Sequence, residues 1–392
     1  MAAGILGDFM ASFSWPPSAM ASRRDFGAGR QMAPRSAVIV FSASCRPAHQ
    51  PAAACRRTRR RRRPGPGVTS VTRRPEPAAI DRTRRTCSFG HRGVTTIRSV
   101  SVFGAGPSRT ALLTAVARDL YRQGPPPLVL DDTLALPLAG AEGLSLRDRL
   151  RAELRGDDLL AFCRWVCVRS RYAEDVVEQR AGTGAGQYVV LGAGLDTFAY
   201  RRPGPGLRVF EVDHPATQAW KQRRLADLGL AIPGNLVFVP VDFERLGLGP
   251  ALEAAGFTFD EPAVFSWLGV TMYLTPEAIS QTLSIIARAA TMTRVVLTYN
   301  QPDRVLDDHA VRVTSAMRSI AAGFGEHFVT LFTRAEIEAV LREHGFGEIE
   351  HIGRDEARAR YFGGRQDVEI AGAQALVSAT VLPSSAVGQT VS

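Results

Sequence analysis

Apolar residues recur at helical spacing from Ser108 onward. Leu112, Leu113, Val116, Ala117 and Leu120 put one face on a helix over about 109–123, and Ser108 is placed to cap it. A second helix is expected over about 158–179, where Phe162, Val166, Ala173 and Val176 form an apolar stripe that also contains Arg169. From Tyr188 the pattern changes to short continuous apolar runs. These predict buried strands at 187–191, 209–213, 236–243, 263–274, 294–300 and 375–382, separated by helices at about 215–229, 276–290 and 333–344. The last helix carries its own punctuation: Thr333 caps it, Glu336 completes a capping box and Gly345 ends it. Strands alternating with helices specify an α/β fold with a doubly wound, mostly parallel, Rossmann-like sheet, whose ligand sits at the carboxyl ends of the strands.

Composition changes this picture only at the amino-terminal end. Residues 1–98 hold 19 arginines, no lysine and four acids, a formal charge of +15; the whole chain carries +10, leaving −5 for the remainder. The block Arg56–Pro64 cannot bury its charge, so a basic, disordered leader is expected over 1–98, with one domain over 99–392 made of a helical cap (about 105–180) and a core (about 187–382). The chain has a single lysine, Lys221, against 47 arginines, a bias suggesting GC-rich coding in which upstream frames are read as protein; a working start at about 94–102 is the favoured reading. The alternatives are a transit peptide or a basic tail. The mildly acidic remainder argues against nucleic acid as a partner of the fold. No run of about 18 apolar residues occurs, so no membrane span is expected. Cys163 and Cys167 lie one helical turn apart with no second ligand pair, which favours two buried small side chains over a metal site or a disulfide. A reducing compartment, the cytoplasm, follows.

The candidate chemistry centres on QYVVLGAGLDT, residues 187–197. A buried strand runs straight into Gly192 and Gly194, which let the backbone turn sharply beside a ligand. Asp213, 21 residues after Gly192, ends the next strand where an acid binds ribose hydroxyls. A dinucleotide site would have a third glycine, but this turn has Asp196 and Thr197, and a carboxylate there would repel a pyrophosphate. An acidic turn suits a ligand with cationic groups and no phosphates, which describes S-adenosylmethionine. On the preceding helix, Arg171 and Asp175 read as a solvated i,i+4 pair. Arg169, on the apolar stripe, needs an anion: the carboxylate of an amino-acid-like cofactor, a buried acid, or release to solvent by snorkelling.

The motifs SRTALLTAVAR, RSRYAED, VVLGAGLDTFAYR, FEVDHPATQAWK, VPVDFE and SWLGVTMYLT occur in the order found in the leucine carboxyl methyltransferase family. Over about residues 105–382 the chain resembles that family, particularly its bacterial branch with polyketide-pathway O-methyltransferases. The resemblance implies a class I methyltransferase fold and S-adenosylmethionine as donor. It assigns Arg169 to the methionine carboxylate, Gly192 and Gly194 to the turn, Asp196 to the ammonium, Asp213 to the ribose, and Asp242 with Phe243 to the adenine. His214 reads as a loop-ordering residue. One departure stands out: where the family often has Glu after the aromatic of its fourth-strand motif, Trp267 is followed by Leu268. The expected reaction is methyl transfer to a carboxylate or hydroxyl oxygen of a small molecule. With no evident general base, carboxylate acceptors are favoured, since they are already ionised. Tyr273 and Arg201, near strand ends, are the candidates for contact with the acceptor. An NAD-type oxidoreductase and a non-catalytic S-adenosylmethionine-binding protein are the alternatives.

Overall fold

The computed structural model describes residues 108–383, apart from 155, 183, 203–205 and 244–246. By internal contacts the chain falls into two units, residues 1–91 and 92–392, and the described residues all belong to the second. The expected basic leader and the proposed start therefore lie outside the described residues.

In chain order the elements are α1 (Arg109–Arg122), α2 (Ala135–Glu153), α3 (Gly156–Ala181), β1 (Gln187–Leu191), α4 (Phe198–Arg201), β2 (Arg208–Asp213), α5 (Pro215–Asp227), β3 (Leu236–Pro240), α6 (Leu248–Ala254), β4 (Ala263–Trp267), α7 (Pro276–Ile286), β5 (Arg294–Asn300), α8 (Asp308–Ala322), α9 (Arg334–Glu343), β6 (Phe346–Ile352), α10 (Arg354–Phe362) and β7 (Gln374–Val381). They form a seven-stranded sheet in the order β3-β2-β1-β4-β5-β7-β6. β1 to β5 run parallel, while β7 is antiparallel to both β5 and β6. This is the class I methyltransferase arrangement. The last strand enters between β5 and β6 as an antiparallel strand, fully buried along its length, which makes the sheet mostly parallel as the sequence predicts.

Alternate residues of each strand supply the two faces of the core. Val189, Leu191, Phe210, Val212, Phe265 and Trp267 pack beneath α6, α7 and α9, with Leu252, Leu283, Ile286, Ile337 and Leu341 closing that layer. Tyr188, Val190, Val209, Val264, Val296 and Leu376 face α3, α8 and α10 on the other side. A third cluster joins α1, α2 and α3 into a helical cap, built on Leu112, Val116, Leu120, Leu150, Cys163 and Cys167. Both cysteines are buried and free, and burial pushes the Cys163 thiol up to about 12, so they act as small apolar residues. The caps read from sequence are present: the Ser108 hydroxyl accepts from the Ala111 N–H, and Thr333 and Glu336 form a capping box.

The apolar run 263–274 is shorter as a strand than its composition suggests. β4 ends at Trp267, and Gly269, at φ +75°, turns the chain into a single 3₁₀ turn over Thr271–Tyr273. That turn brings Tyr273 over the sheet's carboxyl edge rather than along it. Among the described residues no helix is long and apolar enough to cross a membrane.

Candidate cofactor and acceptor site

At the carboxyl edge of the sheet, between β1–β5 and the cap, lies a cavity of 460 Å³. Its lining includes Arg169, Gly192, Gly194, Asp196, Asp213, Asp242, Phe243 and Tyr273. One candidate does not belong with them. Arg201 is absent from the lining: its guanidinium is held by Glu174 at 2.5 Å and by the Thr197 hydroxyl at 2.8 Å, with Asp132 at 3.9 Å. Its place on α4 directs it back under the turn toward α3, so it is a structural clamp and not an acceptor contact.

The glycine turn is tighter than a ligand would require. Gly192 has φ +68°, and a Cβ there would lie 2.3 Å from Val270 Cγ2; Gly194 has φ +51°, and its Cβ would lie 2.9 Å from the Ala111 Cβ. Both positions therefore need glycine for conformation and also for contact with the protein itself, the 3₁₀ segment in one case and the cap helix in the other. Asp213 locks the turn from β2. Its carboxylate accepts from the Gly194 N–H at 2.5 Å and from the His214 N–H at 2.6 Å. Burial pushes the Asp213 carboxyl above its ordinary value, while the Gly194 and His214 amides pull it back. Asp196 accepts from the Phe198 N–H at 2.7 Å, closing the turn just ahead of α4. His214 caps α5 through its Nδ1, which accepts from Ala216 N–H at 3.2 Å, in keeping with a loop-ordering role.

Beneath this turn sits the chain's lone lysine. Lys221 Nζ donates to Glu211 at 2.5 Å and to the Asp196 carbonyl at 2.6 Å, and both side chains are only 1% exposed. Burial pushes the Glu211 carboxyl up, to about 7, against the pull of the Lys221 ammonium. Neither residue was singled out by sequence pattern as part of the support for the turn.

Arg169 resolves the question its position on an apolar stripe raises. It is 7% exposed, and burial lowers its pKa to about 10, with Arg118 adding repulsion, so it stays charged at neutral pH. Its Nη1 donates to Gln374 Oε1 at 2.8 Å, while its Nε has no partner among the described residues. Gln374 is itself fixed, accepting from Trp165 Nε1 at 3.0 Å and donating to Asn300 Oδ1 at 2.7 Å. No acid among the described residues pairs with Arg169, so the buried-acid alternative falls away. The missing side chain of Gly269 makes room for the guanidinium, 2.8 Å from where a Cβ would stand. Arg171 behaves as read from sequence, pairing with Asp175 at 2.6 Å.

Several residues of the site were not legible in the sequence. Arg118 donates to Asp132 at 2.8 Å and to the Leu195 carbonyl at 2.7 Å; Thr197 donates to the same carboxylate at 2.7 Å. Although burial would raise it, Asp132 is held below its ordinary pKa by Arg118, Thr197 and Arg201. The only sequence signal was the acidic end of the apolar run PPPLVLDD.

Comparison with known proteins gives the family of the chain. The family model described as leucine carboxyl methyltransferase matches residues 111–287. YktD of Bacillus subtilis, named as an S-adenosyl-L-methionine-dependent methyltransferase, is 33% identical over 283 residues, 66% of this chain and 93% of its own length. The chain belongs to the leucine carboxyl methyltransferase family. A Mycobacterium sp. (strain JLS) relative with the same functional name is 34% identical over 259 residues, covering 60% of this chain and 83% of its own. Among solved structures, a DUF574-family protein of Streptomyces avermitilis aligns with 69% of this chain and 97% of its own at 16% identity and a TM-score of 0.47. As a member of the family the chain is an S-adenosylmethionine-dependent methyltransferase, and S-adenosylmethionine is its cofactor. Leu268, in place of the family's frequent Glu, lines the cavity as an apolar residue packed against the α3 face of the core.

Proposed function

We propose that this methyltransferase acts on an oxygen of a small-molecule acceptor, carboxylate or hydroxyl, in the cavity between cap and sheet. The observation that carries the cofactor half of this reading is Arg169: a buried, charged guanidinium facing the cavity with an orphaned Nε and no acid. An unpaired buried charge is unfavourable by several kcal/mol, of order 3–5, so the site is completed by an anion, and the methionine carboxylate is one of the right shape. Asp196 would then meet the ammonium, Asp213 the ribose, and Asp242 with Phe243 the adenine. Asp213 suits this role because its contacts to the Gly194 and His214 amides already fix its orientation. Phe243, stacked on Trp267 at 6.4 Å, offers an aromatic wall.

When bound, the cofactor supplies an electrophilic methyl group on a sulfonium. The protein's part is to hold the acceptor oxygen in line and keep water out. Met272, Met317, Val313 and Leu113 give the remainder of the cavity an apolar lining, which fits a polyketide-like skeleton better than a sugar or a nucleotide.

Calorimetric titration of wild type, Arg169→Ala and Asp213→Ala with S-adenosylmethionine and with NAD tests the assignment. Wild type should bind S-adenosylmethionine and ignore NAD, and Arg169→Ala should weaken binding by about 100-fold or more with the fold intact by circular dichroism. Tight NAD binding without a response to S-adenosylmethionine would overturn it. Treating the methylated product with base then separates an ester, which releases methanol, from an ether.

A further inference from the structure

The cofactor assignments above use Arg169, Asp196, Asp213 and Asp242, and they leave one charged side chain of the cavity wall without a task. Glu326 sits on the loop after α8. Its Oε1 accepts from the Ser108 hydroxyl and the Arg109 N–H, both at 3.2 Å, and its Oε2 accepts from the Thr110 hydroxyl at 2.5 Å. The Thr110 hydroxyl also stands 2.8 Å from the Ser108 hydroxyl. Three elements distant in sequence, the start of α1, the 3₁₀ turn after β4 and the loop after α8, thus meet at one end of the cavity with Thr110, Tyr273 and Glu326. All three residues line the cavity, beside Met272 and Phe328, whose ring meets Tyr273 edge-on at 5.6 Å.

Charge decides what this end of the cavity accepts. Glu326 takes only hydroxyl and amide donors, and among the described residues it has no ion pair. The nearest buried cations are committed elsewhere: Arg118 is closed on Asp132 and the Leu195 carbonyl, and Arg169 is assigned to the cofactor. The exposed His327 is the remaining titratable neighbour on the same loop. A second carboxylate brought in by an acceptor would meet an uncompensated one across a partly dry cavity. A hydroxyl would instead find oxygens able to accept from it, in Glu326, Thr110 and Tyr273.

We propose that the acceptor is a neutral, largely apolar molecule bearing a hydroxyl group, and that the Glu326 carboxylate on the cavity wall selects it against a carboxylate. This rests on the cofactor reading above and replaces the carboxylate preference drawn from the sequence. The acceptor oxygen forms its bond to the methyl carbon as the carbon–sulfur bond breaks, the electron pair staying on sulfur and neutralising the sulfonium. The acceptor's proton passes to the Glu326 carboxylate, which ends as a carboxylic acid. Burial keeps the Tyr273 phenol well above its ordinary pKa, so it stays neutral beside the acceptor and is not a base in its own right.

The test is binding by the full-length chain saturated with S-adenosylhomocysteine, using 2-naphthol and 2-naphthoate as matched probes. Wild type should prefer 2-naphthol by roughly tenfold or more. Glu326→Gln should remove most of that preference by admitting 2-naphthoate, with S-adenosylhomocysteine affinity unchanged; a merely structural Glu326 would not change the ratio between two probes of one skeleton. Tyr273→Phe should weaken 2-naphthol by about fivefold and leave 2-naphthoate alone. Equal or tighter binding of 2-naphthoate to wild type, an unchanged ratio in Glu326→Gln, or no binding of either probe would overturn the proposal while leaving the cofactor reading standing. Failure of wild type to bind S-adenosylhomocysteine would remove the cofactor reading, and this proposal with it.

Discussion

At the scale of single residues, the readable positions were those whose chemistry conflicts with their local pattern. Arg169 interrupts an apolar stripe, and Gly192 and Gly194 interrupt the passage from strand to helix; each conflict marks a place where the backbone or a charge serves the site. Glu326 and Gln374 showed no such conflict, because their partners arrive from more than 200 residues away in sequence. What the sequence could not show about Gly192 was the identity of its neighbour. An added methyl would meet Val270 as well as a positive φ, so Gly192→Ala should destabilise the fold by about 2–4 kcal/mol, measured by urea denaturation. Adding Val270→Ala should recover the clash but not the backbone strain, and full recovery would show the strain to be negligible. Glu211 gives a pH signature. Its folded pKa lies above its ordinary value of 4.5 because burial outweighs the attraction of Lys221, so folding favours its protonated form. Its contribution is present in full below the unfolded value and is lost as pH rises through the folded value of about 7. The thermal midpoint should therefore decline between about pH 5 and about pH 8, and Glu211→Gln should flatten that part of the profile.

At the scale of elements, strong local periodicity was decisive and its absence was costly. α1, α3, α7 and α9 carry clear stripes or caps, and the sequence places each within a few residues. α2 carries neither: Pro137 lies in its first turn and Gly140 sits at φ +62°, kinking it, so it is held as a helix by packing on α1. α8, β6 and α10 were likewise unread, and with them the antiparallel end of the sheet. β6 has a register shift between Gly347 and Glu350 that breaks the alternation a strand would show. The elements that form the site depend on contacts no local pattern reports. Asp132, in the segment between α1 and α2, ties α1 through Arg118 and the turn after β1 through Thr197, while Arg201 carries the connection on to Glu174 of α3. Asp132→Ala would leave Arg118 buried without its acid, and a loss of about 3–5 kcal/mol is expected by chemical denaturation. Asp303→Ala, which breaks the exposed pair with Arg318, should change stability by less than about 1 kcal/mol and serves as the control.

At the scale of the whole molecule, the opposite charges of the two parts of the chain make a prediction that separates them. Every described residue lining the cavity lies between Ser108 and Gln374, and the described helices and strands that position them lie within residues 109–381. The +15 of residues 1–98 outweighs the −5 of the remainder and would attract polyanions non-specifically. We propose that cofactor binding and polyanion attraction come apart on truncation. A chain beginning at residue 99 should bind S-adenosylmethionine within about twofold of the full-length chain, a difference of only about 0.4 kcal/mol, while losing retention on a heparin column at moderate salt. Retention by the truncated chain would locate the basic surface on the fold, against its formal charge of −5. A large loss of cofactor affinity would instead mean that residues before 99 complete the cap, because α1, whose first turn anchors Glu326, begins only ten residues further on.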